Sequence, residues 1–342
     1  MRCLLMAMTL VAMASGLAAE EVKTGAFELR FDERSPQSEL VKVAERMGVK
    51  TEALRQRAAE AEYDVTRESF DVYVPKAYTG QEAYGLVVWI SPGATVGRPA
   101  GWNEVLDRHK LLWVGANNSG NDRLPLIRMA LALDAAHNMK ARYQIDEKRV
   151  YIAGLSGGGR VGSMLGVGYP DVFAGGLYII GCNYYRAIFS REKNGIWQKG
   201  FNAPPVEVLA QARRHRHVIL EGETDANREQ SLAYAEAYRR DGFRYVIYLE
   251  VPGMGHEPPN AQWFEKGIAA LVEELPAAST QPTTRRVEEP SEADKLVRVS
   301  RVFIANGMYA AARTRLERVV TEYPAAPEAQ EAKKILEEIK GK

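Results

Sequence analysis

Cysteine is nearly absent from this chain: two in 342 residues, Cys3 and Cys182. Two thiols build neither a disulfide framework nor a four-thiolate zinc site. An excess of one charge is missing too, with 45 Lys and Arg against 44 Asp and Glu. That balance excludes the basic surplus of a general nucleic-acid binder and of a polybasic membrane-surface protein. Histidine is scarce, five in all, and none stands with carboxylates at metal-ligand spacing, so neither a metal nor a cofactor is expected. What is present is ordinary globular composition, 46% hydrophobic and 26% charged. The length suits one large domain with an appendage.

Residues 1–19 read MRCLLMAMTLVAMASGLAA. Arg2 supplies a positive start. The apolar stretch over 3–14 is shorter than the ~20 residues needed to span a bilayer. Gly16 and Ala18 put small residues at the −3 and −1 positions for cleavage after Ala18. This is the pattern of a signal peptide, residues 1–18, and predicts export to the periplasm or beyond. Its removal takes away Arg2 and Cys3, leaves 44 basic against 44 acidic side chains, and makes Cys182 the single thiol. No membrane span is expected after that cleavage.

An N-terminal extension, 19–68, carries a short strand (26–31) and a helical stretch (37–62) with a break at Gly48. From 69 to 275 apolar strands alternate with helices. The strands are 70–74, 86–90, 111–115, 150–155, 174–181, 217–221 and 244–251. The helices are 102–108, 124–141, 160–169, 205–214, 227–240 and 261–275. Continuous apolar strands alternating with helices predict an α/β fold, a mostly parallel sheet covered by helices on both faces. Residues 276–291, PAASTQPTTRRVEEPS, have the composition of a linker. In 292–342 three amphipathic patterns form a small helical module: Leu296, Val299 and Phe303; Ala312, Leu316, Val319 and Tyr323; Ala332, Ile335, Leu336 and Ile339.

The chemistry-bearing motif is Gly154-Leu155-Ser156-Gly157-Gly158, a G-x-S-x-G between an apolar strand and a helix. That strand–turn–helix context is what a nucleophile elbow needs, with the hydroxyl exposed above the sheet. A serine needs a base. His109, His215 and His217 fall at amino ends of strands and His137 lies within a helix. His256 alone follows a strand's carboxyl end, the edge that carries ligands in parallel sheets. The acid belongs on another carboxyl-edge loop between them. Asp225, in Gly222-Glu-Thr-Asp225, is the natural choice, with Glu221 and Glu223 as rivals. Backbone donors for an oxyanion are expected from Gly157 and from Gly93 or Ala94 in the loop 91–97. The next carboxyl-edge loop, Asn117-Asn118-Ser119-Gly120-Asn121, supplies candidate substrate contacts, Asn117 and Asn118, or simply caps the helix from Leu124. Tyr184 and Tyr185 are candidate contacts too, in an aromatic-rich insertion that reads as a lid or pocket wall or, equally, as a loop anchored on the core.

The order Ser156, Asp225, His256 on this alternation resembles the α/β-hydrolase fold across 69–275. The pieces Val87-Val88-Trp89-Ile90-Ser91-Pro92-Gly93, Tyr151-Ile-Ala-Gly-Leu-Ser156-Gly-Gly-Gly-Arg160 and Pro252-Gly-Met-Gly-His256 resemble the polyhydroxybutyrate-depolymerase and feruloyl-esterase-like esterases. One departure is Pro92-Gly93 where many such enzymes have His-Gly. The resemblance implies a secreted serine hydrolase acting on small-molecule or polymeric carboxylic esters. A peptidase or thioesterase on the same residues, or an inactive scaffold, are the alternatives. Gly307-Met-Tyr309, 311–316 and Tyr323-Pro324 with Ala329 and Ala332 resemble a single tetratricopeptide repeat. One repeat buries little surface alone, which implies docking on the main domain, self-association, or a protein partner for 292–342.

Overall fold

The computed structural model describes residues 22–49, 52, 56, 61, 63–190, 195–273, 291–305 and 307–341. The signal-peptide reading of 1–18 and nearly all of the linker lie outside these residues. In chain order the first elements are β1 (Gly25–Leu29), α1 (Leu40–Arg46), β2 (Phe70–Val74), β3 (Tyr84–Ile90), α2 (Trp102–Arg108), β4 (Leu111–Ala116) and α3 (Pro125–Arg142). Then come β5 (Ile145–Leu155), α4 (Gly157–Gly168), β6 (Gly175–Ile179), a small hairpin of β7 (Ile188–Ser190) and β8 (Gly195–Trp197), and α5 (Val206–Ala212). The sheet and its cover are completed by β9 (Arg216–Gly222), α6 (Arg228–Arg240), β10 (Tyr245–Val251) and α7 (Ala261–Val272).

Eight strands form one sheet in the order β1-β2-β4-β3-β5-β6-β9-β10. The neighbours from β4 to β10 all run parallel, while β1 pairs antiparallel with β2 and β2 antiparallel with β4. This is the arrangement of the α/β-hydrolase fold, and the mostly parallel sheet is as its apolar strands predict.

Alternation along the strands divides the core. Leu86, Val88 and Ile90 of β3 lie on the side of the sheet covered by α1, α3, α4, α5 and α6. Val87 and Trp89 face α2 and α7. The second face is closed by stacking of Trp102 on Phe264, ring centroids 3.8 Å apart. Because both faces are covered, β3, β4, β6 and β9 are buried at every residue, which is why they read as apolar runs.

The N-terminal extension lies over α3. Its helix ends at Arg46, and Gly48 follows with φ +70°, the break expected there. Three more helices, α8 (Glu292–Ala305), α9 (Tyr309–Glu322) and α10 (Pro327–Glu338), enclose a separate core of Leu296, Ala312, Leu316, Val319, Ala332 and Ile335. The α8 helix meets the β7–β8 hairpin, with the Arg301 guanidinium 5.4 Å from the Phe189 ring centre. Among the described residues no helix is long and apolar enough to cross a membrane.

Candidate active site

Ser156 sits at the turn between β5 and α4 with φ +53°, a left-handed conformation uncommon outside glycine. The turn is that tight because nothing larger than hydrogen fits around it. A Cβ on Gly154 would overlap the backbone of Gly158 and lie 2.8 Å from the Gly159 nitrogen. The turn is pinned by the Ser156 N–H donating to Ile179 O at 2.8 Å, and the hydroxyl is left facing the carboxyl edge.

Two other carboxyl-edge loops converge on it. Ser156 Oγ lies 2.8 Å from His256 Nε2, and His256 Nδ1 lies 2.7 Å from Asp225 Oδ2. The Asp225 carboxylate is fully buried, while the imidazole is half exposed. Asp225 Oδ1 accepts from the Asn227 N–H at 2.7 Å, so both its oxygens are held. A carboxylate accepts only. The Nδ1 of His256 is therefore the donor, and Nε2 keeps its lone pair toward the serine hydroxyl.

The acid and base loops are also tied to each other. Glu223 N–H donates to Val251 O at 3.0 Å, and Thr224 donates to Met254 O through both its N–H and its hydroxyl. Glu223 Oε2 accepts the Gly253 N–H at 2.8 Å. Of the two rival carboxylates, Glu223 thus serves this tie. Glu221 is buried at the end of β9, and burial pushes its carboxyl up to about 7.

Gly157 opens α4, where the first N–H groups of a helix have no partner within it. In the loop after β3, the Gly93 N–H is taken up by Ser91 Oγ at 3.1 Å. Of the two alternatives there, Ala94 is left with an N–H that has no partner among the described residues. The loop is held from below by Arg128, a buried arginine of α3 that donates to Ser91 O at 3.0 Å and to Ser119 O at 2.8 Å. In the sequence it stands out only as a lone arginine within the apolar run Ile127, Met129, Ala130 and Leu131.

The structure corrects the expectation for Tyr184 and Tyr185. Both rings are buried among Tyr234, Tyr238, Phe201 and Phe243. Their hydroxyls donate to Asp241 Oδ2 at 2.5 and 2.7 Å. They anchor the insertion on α6. Asn117 is likewise committed: its Oδ1 accepts the Val96 N–H, and its Nδ2 donates to Glu28 and Ser69. It braces the loop 91–97. Asn118 is exposed at φ +53°, its N–H on Ala94 O at 2.6 Å. Cys182 is buried, and burial pushes its thiol up to about 12, so it is no nucleophile.

Two polar residues near Ser156 carry no assigned role from the sequence. Arg160, in the first turn of α4, donates to Asn227 Oδ1 at 2.9 Å and Gln230 Oε1 at 2.8 Å, linking the elbow to the acid loop. Asn121 stands directly against Gly157. Among the described residues no cluster of three His, Cys, Asp or Glu is placed to hold a metal. A cleft of about 790 Å³ lined by Arg149, Tyr151, His215 and Arg216 opens at the amino ends of β5 and β9, the edge opposite Ser156.

No family model matches this chain. A poly(3-hydroxyalkanoate) depolymerase C from Paucimonas lemoignei is 49% identical over 47 residues, 14% of this chain and 11% of that enzyme. The chain thus spans about a tenth of the length of that relative. Among solved structures, it is similar to a poly(3-hydroxybutyrate) depolymerase from Bordetella parapertussis (23% identity, 62% of this chain and 86% of that one, TM-score 0.42). It is also similar to an S-formylglutathione hydrolase from Staphylococcus aureus (13% identity, 72% and 96%, TM-score 0.46). A third is a feruloyl esterase module from Clostridium thermocellum (13% identity, 62% and 86%, TM-score 0.44).

Proposed function

We propose that this chain is an exported serine hydrolase that cleaves carboxylic esters through an acyl-enzyme. The observation that carries the reading is the unbroken relay from Ser156 Oγ through His256 to Asp225, with links of 2.8 and 2.7 Å. The short, closely matching stretch shared with a polyester depolymerase supports an ester as the substrate class. Export rests on the composition of residues 1–18, and the near-even charge suits a neutral or weakly charged ester.

In the first step Ser156 Oγ attacks the acyl carbon while His256 Nε2 takes the hydroxyl proton. Asp225 holds the imidazole in the required tautomer and stabilises the imidazolium. The Gly157 and Ala94 N–H groups face the oxyanion as it forms. His256 then protonates the leaving alcohol, and a water activated by the same imidazole releases the acid.

The test is turnover of p-nitrophenyl acetate and butyrate by the wild type and Ser156→Ala, with fluorophosphonate labelling of both. The substitution is expected to abolish labelling and reduce turnover by at least ~10³-fold. Equal rates in the two proteins, or no labelling of folded wild type, would sink the assignment.

A further inference from the structure

The loop between β4 and α3 lies on the loop after β3. The Asn118 N–H donates to Ala94 O at 2.6 Å and the Asn121 N–H to Pro92 O at 2.9 Å. The two run so close that a Cβ on Gly120 would come within 3.0 Å of the Gly93 carbonyl carbon and 3.2 Å of the Ala94 nitrogen. This contact carries the side chain of Asn121 across to the elbow. A Cβ built on Gly157 would overlap Asn121 Oδ1 and lie 2.7 Å from its Cγ and 2.9 Å from its Nδ2. The carboxamide therefore occupies the space that a side chain following the nucleophile would fill.

Three facts bear on Asn121, and its contact with Gly157 is the one that separates it from the equally exposed Asn118. The Asn121 carboxamide makes no hydrogen bond with any described residue, whereas Asn117 is committed on both atoms. Asn121 is exposed. Its backbone is fixed to the loop that presents Ala94, and its amide touches the residue that presents the other donor. A carboxamide has two N–H donors, and rotation about its last bond exchanges the oxygen and nitrogen positions.

The geometry points to Asn121 as a catalytic residue, a third oxyanion donor beside the Gly157 and Ala94 N–H groups. The inference rests on the ester-hydrolase reading and specifies its electrophilic side. When Ser156 Oγ bonds to the acyl carbon, the carbonyl π pair moves onto oxygen and the serine proton to His256 Nε2. The oxyanion accepts the Asn121 N–H without taking its proton. When the C–O bond to the leaving group breaks, the pair returns to the carbonyl, the imidazolium proton goes to the alcohol, and the amide is released unchanged. Gly157 is glycine because the amide needs its space.

The experiment compares wild type, Asn121→Ala, Asn121→Asp, Gly157→Ala and the double variant Asn121→Ala/Gly157→Ala. Readouts are p-nitrophenyl acetate kinetics, fluorophosphonate labelling and thermal melting. Asn121→Ala is expected to lower kcat about 100-fold, the low end for loss of one such donor, with KM within about threefold and the melting curve unchanged. Asn121→Asp, isosteric but without a donor, is expected to lose at least as much. Gly157→Ala, which displaces the amide, is expected to lose a similar factor, and adding it to Asn121→Ala to cost less than about threefold more, the non-additivity of residues sharing one space. A kcat for Asn121→Ala within threefold of an active wild type overturns this inference alone. An inert, unlabelled wild type overturns it together with the ester-hydrolase reading.

Discussion

At the scale of the residue, this site depends on what is missing from Gly154. The atoms that a Cβ would strike are the backbone of Gly158 and Gly159, the start of the helix that follows Ser156. No side chain can rotate away to make room. Gly154→Ala is therefore expected to cost about 2–3 kcal/mol of stability and to displace Ser156 from His256. A urea titration read alongside ester turnover checks both. Asp225 acts differently, since its substitution by Asn leaves the shape intact. The Asn amide presented to His256 Nδ1 as a donor favours the tautomer with its proton on Nε2, so the base loses the lone pair facing Ser156. Turnover of Asp225→Asn is expected to fall about 10³–10⁴-fold with an unchanged melting temperature, and a loss below tenfold would count against the tautomer argument. The convergence of Ser156, Asp225 and His256 was legible because each leaves a strand's carboxyl end and few histidines compete. The contact of Asn121 with Gly157 was not, because it joins loops after β4 and β5, a proximity set by the parallel β4–β3–β5 order rather than by local sequence. Tyr184 and Tyr185 misled because composition marks an aromatic insertion without saying which way its rings turn.

At the scale of the element, two buried side chains of α3, Asp134 and Asn138, help hold the N-terminal extension to the sheet domain. Asp134 is fully buried and accepts from the Ser35 N–H at 2.6 Å and from the Tyr63 hydroxyl. One turn further along α3, Asn138 Nδ2 donates to Glu33 O at 2.7 Å. Asp134→Ala would leave a backbone N–H and a phenol without partners, each costing about 1–3 kcal/mol when buried. The expected loss is about 2–6 kcal/mol in urea unfolding, with faster proteolysis near residue 35. A loss under 0.5 kcal/mol would mean the extension is held by its apolar contacts, chiefly Leu40, Val43 and Met47. Long elements were legible because continuous burial leaves a plain apolar signature. The hairpin β7–β8 was not, since strands of three half-buried residues are too short to show an alternation. The antiparallel setting of β1 and β2 was not either, because pairing direction leaves no mark on the residues of a single strand.

At the scale of the whole molecule, pH acts through two groups buried at opposite ends of β9. His217 is fully buried with Nε2 3.0 Å from Ala212 O and Nδ1 2.8 Å from the Tyr178 hydroxyl. The neutral ring satisfies both, donating from Nε2 and accepting at Nδ1, and burial lowers its pKa from 6.5 to about 4. Between those values the unfolded chain binds more protons, so this group makes stability rise with pH from about 4 to 6.5. Glu221 has the opposite sign. Burial raises its carboxyl from 4.5 to about 7, so the folded chain binds more protons in that window and stability falls as pH rises through it. The groups around Glu221 are Asp225 and His256 on their loops, Cys182 after β6, Tyr248 and Glu250 on β10, and Ser231 and Arg228 on α6. Arg228 is paired with Glu250 at 2.7 Å, so it offers Glu221 little compensation. The two slopes oppose each other from 4.5 to 6.5, and above 6.5 the glutamate acts alone. Glu221→Gln keeps the shape and removes the charge. It is expected to match the wild type near pH 4, where Glu221 is protonated in both states, and to exceed it by up to about 3 kcal/mol at pH 8. Urea titrations of both proteins at the two pH values measure that difference. A stability gap that is the same at both would show that Glu221 acts through packing and not through its proton.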